Sequence, residues 1–287
     1  MRQMLICMSG ILMVVMLILF SMNCSDNNTT DPDVGQLTVK ITDAPFPIGM
    51  IDYANVVINK VEIRTVSADT GNPFITLTDE NYSETFDLLQ LQNGVTGDVV
   101  QIEVPAGSYD LVRLYVGDAE IKLKTGDVHH MKVPSGAQTG IKIFVNPPIE
   151  VAGGLSAELL LDFDINKSFV VKGNPNTPAG VKGFNFKPVI RAVNRAEAGR
   201  ISGHVRNTSD APIADATVYT EVAPEDTMWT VSESDGFYAL VGLQPGSYSV
   251  TAQEAAHDTV TVNDIAVVAG NNTEQDFVLT PKATASQ

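Results

Sequence analysis

From Gln36 onward apolar and polar residues alternate, with Leu37, Val39 and Ile41 in one register and Thr38, Lys40 and Thr42 in the other. A period of two puts each set on one face of a β-strand. Similar runs follow at 56–66, 99–104, 110–116, 119–124, 128–133, 141–145, 157–165 and 184–192. A second series runs through 201–205, 216–221, 237–241, 247–252, 259–262 and 275–279. Turn formers separate the runs, among them Pro105-Ala106-Gly107, Gly117-Asp118, Asn146-Pro147-Pro148, Asp235-Gly236 and Pro245-Gly246. Many short strands at this spacing predict an all-β protein built of two antiparallel β-sandwich domains. The helix-like piece is short, 86–92, and stops at Asn93-Gly94. A polar, unpatterned stretch at 194–199 marks a linker between domains at 36–193 and 200–280, and 281–287 reads as a tail. Ala106-Gly107-Ser108-Tyr109 and Pro245-Gly246-Ser247-Tyr248 echo each other. They read as ordinary hairpin chemistry, in which Gly turns the chain and Tyr opens a strand.

The alternation has no counterpart before residue 25. There Arg2 precedes an apolar run at 11–20, and Ser21-Met22-Asn23-Cys24 follows, which is the layout of an export signal. Ser21 to Cys24 resembles a bacterial lipoprotein signal, although Asn23 stands where Gly or Ala is usual. The resemblance implies a signal peptide at 1–23 and a lipid on Cys24, which would hold the chain to the cell envelope, in the outer membrane. The other reading is an uncleaved membrane helix over 5–22. Residues 25–35 contain almost no apolar side chain and read as a tether.

Charge narrows the partners. Thirty-four acidic against eighteen basic residues leave a net −16, so polyanions meet general repulsion and nucleic acid is excluded as a main ligand. The two cysteines are Cys7 and Cys24, so hydrophobic cores and not disulfides must hold residues 36–280 together.

Two stretches of motifs resemble known families. Thr42-Asp43-Ala44-Pro45, Phe86-Asp87-Leu88-Leu89, Pro105-Ala106-Gly107-Ser108-Tyr109, Leu161-Asp162-Phe163-Asp164 and Lys187-Pro188-Val189-Ile190 together resemble domain of unknown function 4382 over 36–193. That resemblance implies a β-sandwich of envelope lipoproteins with no activity to inherit. Ile201-Ser202-Gly203-His204-Val205, Ser234-Asp235-Gly236-Phe237-Tyr238 and Leu243-Gln244-Pro245-Gly246 are similar to a carboxypeptidase regulatory-like domain over 200–280. It implies a transthyretin-like sandwich, grouped with carbohydrate-binding-like folds, without peptidase residues.

Few residues offer chemistry. Asp162, Asp164 and Asn166 make a D-x-D-x-N run of hard oxygen ligands that would share one strand face, a candidate calcium site. Lys167 and Gly173 stand where an EF-hand loop needs Gly and Glu, so the competing expectation is that the aspartates hydrogen-bond turns or cover a polar face. His129 and His130 are adjacent and point to opposite faces of a strand, which does not suit one metal ion. No G-x-S-x-G, H-E-x-x-H or phosphate-loop motif occurs. Trp229, the one tryptophan, is the candidate stacking platform for a glycan. The expectation is a lipid-anchored, non-catalytic structural or protein-interaction module without a required cofactor. Its alternatives are glycan binding and, more distantly, a hydrolase accessory subunit.

Overall fold

The computed structural model describes residues 33–44, 49–66, 72–133, 136–174, 177, 180–224 and 226–282. Cys24, the candidate signal at 1–23 and most of the tether lie outside the described residues. Among the described residues no helix is long and apolar enough to cross a membrane.

The all-β expectation holds. The first part places β1 (Val34–Ala44), β2 (Ile51–Thr65), β3 (Phe74–Thr76), β4 (Glu84–Asp87), β5 (Gly97–Pro105), β6 (Gly107–Leu123), β7 (Val128–Met131), β8 (Ile141–Val151), β9 (Ser156–Asp164) and β12 (Ile190–Asn194) in one sheet. Its order is β3-β2-β6-β8-β12-β9-β1-β5, with β4 on β2 and β7 on β6. Leu37, Val39 and Ile41 of β1 share one buried cluster with Val56 and Ile58 of β2 and Leu114 of β6, so the sheet curls over a single core. A separate hairpin joins β10 (Phe169–Gly173) to β11 (Val181–Phe186).

The second part stacks two four-stranded sheets. One contains β13 (Gly199–Asn207), β16 (Phe237–Leu243), β19 (Asn272–Glu274) and β20 (Phe277–Leu279). The other contains β14 (Thr217–Ala223), β15 (Asp226–Val231), β17 (Gly246–Gln253) and β18 (Val260–Val267). Ile201, Val218, Tyr238, Leu240, Val250 and Phe277 fill the space between them.

Three details depart from the sequence expectation. The pairing is mixed, because β9 runs parallel to β1, β12 to β8, and β19 and β20 to β13. Gly117-Asp118 does not break β6. Val57 pairs Asp118 and Ile58 pairs Val116, which leaves Gly117 as a bulge opposite an irregular β2. A Cβ on Gly117 would lie 2.2 Å from the Asn59 side chain, so the glycine serves close approach, not reversal. Asn146-Pro147-Pro148 likewise sits inside β8. Tyr109 pairs Ile149 and Leu111 pairs Phe144, so the prolines fall in a bulge outside the paired register. In contrast, the run 184–192 is cut by Pro188 into β11 and β12, which belong to different sheets.

The two echoed tyrosines prove to share a device that their spacing alone did not reveal. Tyr109 Oη donates to the Pro105 carbonyl at 2.6 Å and Tyr248 Oη to the Gln244 carbonyl at 2.8 Å, each four residues upstream. Each bond ties the turn before a strand to that strand, as a tyrosine corner does. Tyr109 is 1% exposed, whereas the Tyr248 bond faces solvent. Tyr109→Phe is therefore expected to cost about 1–2 kcal/mol in urea unfolding, because the lost bond is part-buried and made by a buried side chain, and Tyr248→Phe to cost less than about 0.5 kcal/mol. Equal losses would show that burial does not set the difference.

Candidate functional site

Strand β9 is where the alternation stops explaining the burial. Leu159, Leu161 and Phe163 enter the first core as expected. Leu160, Asp162 and Asp164 point the other way and are nevertheless buried, at 0%, 6% and 6% exposure. The outer face of β9 is thus covered, and groups from the second sandwich reach its neighbours.

Asp162 receives Arg191 of β12, whose Nη2 lies 2.7 Å from its Oδ2. Arg191 Nη1 lies 3.7 Å from Asp226 Oδ2 at the start of β15. Lys167 Nζ joins Asp226 at 2.7 Å and Asp164 at 3.2 Å. Three carboxylates and two cations therefore form a chain of contacts from the first sheet into the second sandwich. Burial pushes the Asp162 carboxyl up from its ordinary value, against the pull of Arg191. For Asp226, burial also acts upward, but the Lys167 hydrogen bond and the Arg191 and Lys167 charges outweigh it and hold the carboxyl low.

The calcium expectation meets a different geometry here. β9 ends at Asp164, whose carboxylate accepts the Lys167 backbone N–H at 3.0 Å and starts a single helical turn, Ile165–Ser168. Asn166 lies within that turn and not on the strand face, because the cap redirects the backbone. The strand carboxylates face Arg191 and Lys167, which supply the positive charge a bound cation would supply. Among the described residues no group of three or more His, Cys, Asp or Glu could hold a metal ion. His129 stacks edge-on against Phe184, while His130 Nδ1 approaches Glu120 at 2.9 Å, so the neighbouring imidazoles do face apart.

A second contact comes from the short helix-like segment. Thr42 Oγ1 lies 2.9 Å from the carbonyl oxygens of both Leu91 and Val95, which fixes the loop after the 3-10 turn Leu88–Gln90. Asn93 at the tip has φ +54° and Gly94 has φ +84°. In that left-handed pair the Asn93 amide enters the second sandwich. Its Oδ1 accepts from Thr230 Oγ1 at 2.6 Å and from the Ala239 N–H at 3.1 Å. Its Nδ2 donates to the Val231 carbonyl and to Glu233 Oε1, each at 3.1 Å. All four hydrogen-bonding positions of the amide are thereby filled.

Trp229 lies on β15 opposite Tyr219 and is half-buried. With Asn93, Asp43 and Asp162 it lines a cavity of about 20 Å³, room for a water and not for a sugar ring. Larger grooves flank the connection between β12 and β13. One, of about 420 Å³, is lined by Leu160, Arg195, Arg200, Gly242, Gly270 and Asn271. The other, of about 360 Å³, lies beside Pro147, Ala192, Glu197 and Pro245. The titratable groups of the seam are engaged in holding strands together, and among the described residues no nucleophile and base are brought into hydrogen-bond reach there. The sequence signal that pointed to the seam was Asp162-Phe163-Asp164. Asn93 read only as a turn, since its partners lie more than a hundred positions away.

Two family models match the chain. The one described as Domain of unknown function (DUF4382) covers residues 34–188, and the one described as Carboxypeptidase regulatory-like domain covers residues 200–280. The second sandwich thus has the transthyretin-like fold of the latter family. No curated protein matches. Among solved structures, the chain is similar to the GBS52 minor pilin of Streptococcus agalactiae at 10% identity, covering 88% of this chain and 98% of that one, with a TM-score of 0.26. A cohesin–X-dockerin complex chain from Acetivibrio cellulolyticus matches at 18% identity over 31% of this chain and 61% of its own, with a TM-score of 0.26. A 3-chlorocatechol 1,2-dioxygenase from Rhodococcus opacus matches at 12% identity, over 31% of this chain and 63% of that one, with a TM-score of 0.24. The chain therefore spans less than two thirds of the latter two, and at such scores none of these likenesses carries an argument about function.

Proposed function

This chain belongs to the family described as Domain of unknown function (DUF4382), and we propose that it works as a non-catalytic interaction module, displayed from a bacterial membrane by a lipid on Cys24. The observation that carries the reading is the seam. Asn93 and the contacts among Asp162, Arg191, Asp226, Lys167 and Asp164 spend the polar side chains at the centre of the molecule on joining two sandwiches. Such a body presents loops, grooves and strand edges in a fixed relation, which favours binding through a preformed surface. The matched families, one of unknown function and the other regulatory-like, are compatible with such a role. Only the part of the tether before β1, residues 25–33, is left to separate that body from the membrane, by up to roughly 30 Å when extended. Trp229 is half-buried in the seam, which favours a protein partner over a glycan stacked on an exposed indole.

Photoreactive residues placed one at a time at Asn271, Phe144 and Val278, on separate exposed positions, are expected to give a discrete protein adduct in the source cell. Absence of any protein adduct from all of them would sink the interaction reading. Cys24→Ser is expected to move the protein from the membrane to the soluble fraction. If the variant stayed membrane-bound after processing, the anchor would have to be something other than a lipid on this cysteine.

A further inference from the structure

We infer that the larger seam groove is a receptor for the free C-terminal carboxylate of a peptide ending in a small aliphatic residue. The inference rests on the interaction-module reading and assigns a chemistry to one of its surfaces.

Four features of the groove support it. Its size comes first: about 420 Å³ falls in the range of ligand pockets, which favour domain junctions. The second is an unspent guanidinium. Of the arginines among the described residues, Arg64, Arg113, Arg191, Arg195 and Arg206 each hold a carboxylate. Arg200 has no ion-pair partner among the described residues, although the chain carries a net −16. Its backbone N–H is fixed by the Asn271 carbonyl at 3.0 Å, so the side chain springs from an anchored lip of the groove. Arg195, which also lines the groove, is oriented by Glu158 at 2.6 Å and, with five donors, retains N–H groups for a second acceptor. Guanidinium groups bind planar carboxylates in a bidentate way that a point charge does not.

The third feature is amide donors of known orientation. Asn272 also lines the groove, and its Oδ1 accepts from Ser202 Oγ at 2.9 Å. That bond occupies the acceptor and leaves the Nδ2 donors, which suit a carboxylate or a peptide carbonyl. The fourth is the floor. Leu160, Val193, Ala198 and Val241 supply small aliphatic surface, and the lining holds no aromatic ring on which a sugar could stack. A Cβ on Gly242 or Gly270 would meet nothing nearer than 3.5 Å and 4.0 Å, so these glycines leave width instead of filling it. A peptide terminus supplies the matching set: a carboxylate for Arg200 and Arg195, an amide carbonyl for Asn272, and one short apolar side chain for the floor. An internal acidic side chain or a uronate sugar supplies the charge without the rest.

The test titrates the full-length protein with acetyl-alanyl-alanyl-valine, its C-terminal amide and an oligoglucuronate, following the backbone amide resonances of Gly242, Gly270 and Asn271. The free acid is expected to shift them saturably, and the amide to bind at least about tenfold more weakly. Arg200→Ala is expected to weaken the acid by about tenfold with an unchanged melting temperature, and Arg200→Lys to recover only part of it. Equal binding of acid and amide, no response at millimolar peptide, or a response to oligoglucuronate alone would overturn the assignment. If the peptide fails while cellular adducts still form, only the groove chemistry falls; if both fail, the interaction reading falls with it.

Discussion

Replacing Arg191 by Met should destabilise the protein by about 3–5 kcal/mol at neutral pH, the cost of leaving a buried carboxylate without its cation. The carboxylate is Asp162, which is 6% exposed and held by Arg191 at 2.7 Å. Methionine keeps much of the stem volume, so the loss reports the charge more than a cavity. Acidity supplies the control. Asp162 titrates above its ordinary value in the folded chain, because burial disfavours the charged form. A carboxyl raised on folding costs stability when ionised, and the cost disappears as pH falls through its folded value. Removing Arg191 raises that value further, so the deficit of the variant should be smaller at acidic than at neutral pH. Asp226 behaves oppositely. It is held low, so its contribution is present above its unfolded value near 3.8 and fades below it. Measurements kept above about pH 5 therefore isolate Asp162. Adding Asp162→Asn should return part of the loss, since no unpaired charge remains. Urea unfolding that shows the same deficit at both pH values, or no rescue in the double variant, would contradict a buried charge pair.

Asn93→Ala is expected to cost about 3–5 kcal/mol, from two sources. Buried groups of the second sandwich lose their partners at roughly 1–3 kcal/mol each, the Ala239 N–H and the Thr230 hydroxyl among them. A non-glycine residue without a polar side chain then occupies φ +54°, worth a further 1–2 kcal/mol. Asn93→Gly relieves the backbone but not the lost bonds, so it should recover only the second part. Asn93→Asp keeps the acceptor and sets a carboxylate against Glu233, which the amide now contacts at 3.1 Å; its loss should ease as the pair is protonated. Loss of the plug should also uncouple the sandwiches, seen as two unfolding transitions where the parent shows one. A single sharp transition shifted by less than about 1 kcal/mol would mean that Asn93 is only a turn residue.

Much of the molecule was legible in the chain. Period-two alternation locates a strand where one face meets a core, and it located β1, β13 and β17. It did not locate every strand. Strand β15 was missed because Asp226 to Val231 carries its information in pairs with β14 and in contacts across the seam. Gly117 and Pro147 looked like chain reversals because Gly and Pro serve both turns and bulges, and only the partner strand distinguishes them. Asp162, Asp164 and Asn166 looked like ligands of one ion because sequence spacing does not say where a strand ends; the Asp164 cap ends it two residues before Asn166.

Sequence by itself determined the class of fold, the two-part organisation matched at 34–188 and 200–280, and the turn chemistry of most strand ends. These follow from local preferences and burial period, which operate over a few residues. Tertiary structure alone decided that the second sandwich covers the outer face of β9, that Asn93 is a plug, and that Arg200 has no ion-pair partner among the described residues and lies beside a groove. Each of these depends on groups far apart in the chain. Hydrogen bonds and ion pairs at such separations are set by how the sheets pack, and no local pattern encodes them.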